Sequence, residues 1–140
     1  MWRIDWDAVN ALPERDRFAL LAELPNQVKA ACAAARAQLV IGVKAREGTS
    51  DRAGKTLGIT KQRIGKMVAD YEATGAQIIR LTRSDDEGTE VMTLVCDGEE
   101  VRQIVVTDGA LTSDTIAYCG SGAEGWLRDR LTEYHADGWS

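Results

Sequence analysis

Lys55, Lys61, Gln62, Arg63 and Lys66 fall within twelve residues of one another. Lysine and arginine hold their charge at neutral pH and suit phosphate oxygens. Glutamine presents a donor beside an acceptor, which matches the edge of an adenine, while lysine suits guanine or phosphate. A second chemistry overlaps the first. Gly48 is followed by Gly54-Lys55-Thr56, the ending of a nucleotide phosphate loop, and Asp108 follows an apolar run at 104–106 as a magnesium-holding aspartate would. Such a loop needs four residues between its glycines, because its amides must converge on one phosphate. Here there are five. A nucleotide-binding enzyme using 48–56 is therefore a minor alternative, and no catalytic residue is assigned.

Metal and redox chemistry find little support. Cys32, Cys96 and Cys119 are widely spaced, no Cys-x-x-Cys pair occurs, and His135 is the one histidine. That pattern excludes a standard zinc finger and fits core thiols in a reducing cytoplasm. His135 lacks a neighbouring nucleophile and reads as an exposed or capping residue. Asp85, Asp86 and Glu87 read as a solvated turn rather than a cation site. No metal site and no cofactor are expected. The first seven residues carry no apolar signal core, and no apolar run is long enough to span a bilayer.

The net charge of −5 is unevenly spread. It is −2 over residues 1–27, +5 over 28–75 and −8 over 76–140. All five lysines lie in the middle segment. Affinity for nucleic acid follows the local field, so the cationic set can act within an acidic chain.

The elements that must position this set follow from periodicity and punctuation. Asp5 caps a short helix over 6–12. Pro13 opens the next, which reaches about Leu24 with Phe18 and Leu21 at helical spacing, until Pro25 breaks it. A long helix over about 27–46 carries Val28, Ala31, Cys32, Ala35, Leu39 and Val43 on one stripe, and Gly48 ends it. Ser50 or Thr49 then caps a helix whose inward side is Ala53, Gly54 and Leu57. Gly58 turns the chain and Ile59 plugs the corner. Thr60 caps a second helix, held by Ile64, Met67 and Val68. Gly54, almost without a side chain, lets the two helices cross closely.

After Gly75 the texture becomes β-rich, with strands expected over 77–83, 89–96 and 100–107 and a fourth over 115–119. Asp97-Gly98 and Asp108-Gly109 mark turns. Ser121 and Glu124 form a capping-box pattern before a final helix bearing Trp126, Leu127, Leu131 and Tyr134. The fold class is α+β: an N-terminal helical bundle over 1–75, then an acidic antiparallel β-meander with a C-terminal helix over 76–140.

Residues 49–70 resemble the helix-turn-helix family of DNA-binding proteins, of the small bacterial or phage regulator type. Ala53-Gly54, Leu57-Gly58-Ile59-Thr60, Gln62-Arg63-Ile64 and Met67 carry the likeness. The resemblance implies that the second helix enters the major groove of double-stranded DNA by its N-terminal half. Thr60, Lys61, Gln62 and Lys66 would then face base edges. Arg63 and Lys55 would touch phosphates, with Ser50 at the start of the first helix beside them. Gly65 would permit close approach of the DNA backbone. The hairpin that follows stands where a wing would, yet its tip at 84–88 carries three carboxylates that DNA repels; Arg80 and Arg83 lie lower on the strand. The expected protein is a cytoplasmic, sequence-specific regulator that binds as a homodimer, with 76–140 serving self-association. The alternative is an interaction or DNA-mimic module whose acidic half binds a basic protein.

Overall fold

The computed structural model describes residues 5–140. The elements are α1 (Trp6–Asn10), α2 (Glu14–Glu47), α3 (Ser50–Leu57), α4 (Lys61–Ala73), β1 (Gln77–Asp85), β2 (Gly88–Cys96), β3 (Glu100–Thr107), β4 (Ala110–Cys119) and α5 (Ala123–Ala136). This is an α+β arrangement: helices, one antiparallel sheet in the order β1-β2-β3-β4, and a closing helix. No described helix is long and apolar enough to cross a membrane. The chain forms two compact units, one ending at Arg36 and the other beginning at Ala37, inside α2.

In the first unit Asp5 caps α1, accepting from the Ala8 amide at 3.1 Å. The Pro13 carbonyl accepts from Arg17 at 2.9 Å, so the proline sits at the mouth of α2 as expected. Pro25 does not end the helix. It lies inside a continuous α2 of 34 residues, which corrects the expected break. An interior proline costs about 3 kcal/mol, since it removes a hydrogen bond and crowds the preceding turn. Pro25 is exposed, so water can satisfy the freed Leu21 carbonyl. The expected burial of the 28–43 stripe is also only partly met. The buried residues of α2 are Ala37, Val40, Ile41 and Val43, whereas Leu39 is 58% exposed.

The second unit is built on the sheet. Period-2 alternation sends Leu81, Met92, Leu94 and Val101 to one face, where Ala123, Leu127 and Trp139 cover them. Trp126, Leu131 and Tyr134 pack against the same cluster, so the apolar face of α5 closes the sheet. The opposite face joins Val95 and Ile104 to Ala37, Ile41, Tyr71 and Ala76. Residues of α2, α4 and the sheet thus share one core. A third cluster, Val40, Val43, Ala53 and Ile64, holds α3 and α4 to the end of α2, with Leu57, Ile59, Met67 and Val68 around it.

The turns explain the register. Asp85 pairs with Gly88, which leaves Asp86 and Glu87 as the tip of the first hairpin. The Asp85 carboxylate accepts from the Glu87 amide at 2.8 Å and the Gly88 amide at 3.1 Å. Asp108 and Gly109 have φ of 50° and 82°, the mirror-image turn that matches strand twist. β4 is twice the expected length and is shifted in register between Val101 and Arg102 and between Val105 and Val106. Ser121 does not cap α5. The chain enters through left-handed Gly122 (φ 84°), and no side chain caps the helix. After α5 the chain turns back. Ser140 exchanges two main-chain hydrogen bonds with Thr82 at 2.9 and 3.0 Å. His135 Nδ1 lies 3.0 Å from the Trp139 carbonyl, an acceptor, so that nitrogen is the donor and the histidine ties down the turn.

Candidate nucleic-acid interface

The cationic set sits on a two-helix corner built by local rules. Thr49 caps α3, its hydroxyl accepting from the Arg52 amide at 3.2 Å. Ser50 is therefore the first helical residue, half-buried, rather than the cap. Gly58 ends α3 in the left-handed region at φ 72°, where a Cβ is costly. Thr60 caps α4 by accepting from the Arg63 amide at 3.1 Å, and its hydroxyl hydrogen remains able to donate. Gly54 is buried under the corner, and a Cβ there would stand 2.5 Å from the Ile59 carbonyl oxygen.

This frame leaves Lys55, Thr60, Lys61, Gln62, Arg63 and Lys66 exposed together. Lys55, Gly58, Thr60, Lys61 and Gln62 line one shallow open groove with Asp51. Lys55 pairs with Asp51 at 3.6 Å and Lys66 with Asp70 at 3.0 Å, each one helical turn away. Both pairs are well exposed, hence weak and screened by salt, and a phosphate can replace the carboxylate. Arg52, exposed on α3, adds a further cation beside this set. Gly65 faces open space. Gly65→Ala is expected to stabilise the protein by about 0.5–1 kcal/mol through helix propensity, as thermal melting would show.

The phosphate-loop alternative has no loop to rest on. Gly54, Lys55 and Thr56 lie within α3, so their amides are committed to helical hydrogen bonds rather than converging on an anion. Among the described residues no group of three His, Cys, Asp or Glu side chains is placed to hold a metal ion. Arg80 and Arg83 point to opposite faces of β1. Arg83 is engaged by Glu90 at 2.9 Å and stacks over Trp139 at 4.6 Å, so it is committed to the α5 side.

Many acidic side chains of the sheet have structural duties. Asp97 accepts from the Glu99 and Glu100 amides at 2.9 and 2.8 Å, and Asp108 from Thr89 at 2.9 Å. Asp114 belongs to a brace that the sequence did not reveal. Its two oxygens take Arg102 Nε and Nη2 at 2.8 and 2.7 Å. Arg102 Nη1 also donates to the Gln38 carbonyl at 2.8 Å and to its side-chain oxygen at 3.1 Å. Gln38 Nε2 in turn donates to the Tyr71 hydroxyl at 2.8 Å. The brace joins β4, β3, α2 and α4, and so fixes α4 on the sheet. Hydrogen bonds from Arg102, helped by its charge and opposed by burial, hold the Asp114 carboxyl below the usual aspartate range. Arg102 is raised by the same hydrogen bonds. Burial raises the Tyr71 phenol, against the pull of Gln38.

No protein-family model, curated protein or solved structure matches the chain.

Proposed function

We propose that this protein binds double-stranded DNA in a sequence-specific way, as a dimeric regulator in the cytoplasm, with the N-terminal half of α4 laid in the major groove. The observation that supports this reading most is the joint exposure of Lys61, Gln62, Arg63 and Lys66 on a helix that is capped, glycine-turned and buried on its other side at Ile64. Thr60, Lys61, Gln62 and Lys66 meet base edges. Arg63 and Lys55, with Arg52 beside them, meet phosphates, and Ser50 stands at the margin. A two-fold dimer doubles these contacts. Free thiols at Cys32, Cys96 and Cys119 suit a reducing compartment.

Fluorescence anisotropy with genomic duplex fragments at two salt concentrations tests the reading. Binding should weaken steeply with salt. Lys61→Ala/Lys66→Ala should lower affinity by about 10–100-fold, and Lys55→Ala/Arg63→Ala should flatten the salt slope by roughly 2. Absence of binding to every duplex near physiological salt would overturn it.

A further inference from the structure

Beneath the last turns of α2, the face of the sheet that carries Val95 and Ile104 is not fully covered. A cavity of about 140 Å³ lies there, between Ile41 and Ala45 of α2, Val68 of α4, and Ile78, Val91 and Thr93 of the sheet. All of these residues belong to the second unit. Native cores hold few voids larger than a water, and an apolar cavity of about 150 Å³ accepts a molecule the size of benzene. The gap arises because α2 follows Ile41 with the small residues Ala45 and Gly48 on this side. Past Ala45, Gly48, Arg80 and Val91 the cavity continues into a groove of about 290 Å³ that reaches Thr89 and Asp108.

Polar groups converge on this space. Thr93 is 7% exposed, and its hydroxyl has no hydrogen-bond partner among the described residues. No sealed side-chain polar atom lacks a partner, so the hydroxyl opens into the cavity rather than into closed core. A hydroxyl held there out of bulk water favours an incoming acceptor. Arg80 is the direct cross-strand partner of Thr93 and shares its face. Lys44 comes to the same opening from α2. Neither cation has an ion-pair partner among the described residues. The carboxylates of the outer groove are engaged: Glu47 pairs with Arg46 at 3.6 Å, and Asp108 accepts from the Thr89 amide at 2.9 Å. The carbonyl end of α2 and the amino end of α3 are joined by only two residues. Their partial charges, about half a unit each, have opposite signs, so the two cations set the local field.

We propose that this cavity binds a small carboxylic acid with an apolar body. The carboxylate accepts from the Thr93 hydroxyl and the Arg80 guanidinium, and Lys44 closes over it. The body lies against Ile41, Val68 and Ile78. The volume admits one ring or a chain of about six carbons. An amide of the same shape lacks the charge that the cations recognise, and a bare phosphate lacks the body that fills the apolar end. The site rests on its own geometry and stands whether or not the protein binds DNA.

Titration of the isotopically labelled full chain with phenylacetate and with hexanoate, followed by amide chemical shifts without DNA, tests the proposal. Shifts should centre on Ala45, Gly48, Val68, Arg80 and Thr93 and saturate with a Kd on the order of 0.1–1 mM. Phenylacetamide should bind at least about tenfold more weakly. Lys44→Gln/Arg80→Gln alters two exposed side chains and should weaken both acids by about tenfold or more. Thr93→Val keeps the shape and should weaken them roughly 3–10-fold without lowering Tm, since the hydroxyl has no protein partner to lose. Absence of saturable shifts with both acids up to about 10 mM, shifts centred away from the cavity, equal binding of acid and amide, or binding undiminished in either variant would each overturn the proposal.

Discussion

Gly54→Ala is expected to destabilise the protein by about 2–3 kcal/mol, although alanine is the better helix former by about 1 kcal/mol. The opposing term is steric. The new Cβ would stand 2.5 Å from the Ile59 carbonyl oxygen, a main-chain atom with no rotamer to adopt. The same carbonyl lies in the turn that Gly58 and Thr60 hold on either side, and the Gly54 carbonyl accepts from the Ile59 amide at 3.0 Å. Relief requires α3 and α4 to separate, which opens the cluster around Ala53 and Ile64, both wholly buried. For a chain of this size the change corresponds to a fall in Tm of roughly 5–10 °C. Gly65→Ala provides the control, since the same substitution on the open face should have the opposite sign. If Gly54→Ala also stabilises, the close crossing of the two helices is wrong.

Arg102→Ala is expected to cost about 2–4 kcal/mol in urea unfolding, without shifting the α5 side of the sheet. The guanidinium is only 20% exposed and serves the Asp114 carboxylate and the Gln38 carbonyl at once. Deleting it leaves both acceptors without their donor, which is worse than never having built the pair. The position is partly solvated, which keeps the figure below that of a fully buried pair. The pH dependence has a definite sign. Asp114 titrates lower in the folded protein than in the unfolded chain, so its contribution is complete above the ordinary aspartate value, about 3.9. It is lost as pH falls through the lowered folded value. The gap between the native protein and Arg102→Ala should therefore be widest near neutrality and narrow in acid. A gap independent of pH would mean that the ion pair contributes nothing and that only packing was lost.

The corner was legible because its determinants are local. Thr49, Gly54, Gly58 and Thr60 act on neighbours within a few residues, and so do Asp85 and Asp108 in their turns. Local rules misled where exposure decided the outcome. Pro25 has the local signature of a break, yet a solvated helix tolerates the lost bond. Ser121 carried a capping pattern, but two left-handed glycines beside it set a different entry to α5. The first half of β4 was missed because an edge strand exposed on both faces shows no alternation. The Arg102 brace spans 64 positions to Gln38, and no spacing rule reaches so far. The α2 stripe is the instructive case. Periodicity identified an apolar face from Val28 onward, but it carries no information on whether that face meets the same chain or another.

The meander ends in two outer strands, and neither is a clean template for fibril growth. β1 is engaged at Thr82 by Ser140, so part of its main chain is already taken. β4 is interrupted by two register shifts, which a straight added strand would have to accommodate. Open sheet borders are where soluble proteins begin to aggregate, and bulges and inward charges are the usual defences. Concentrated solutions should accordingly resist amyloid-like stacking even though Leu111 and Ile116 are exposed on the β4 border.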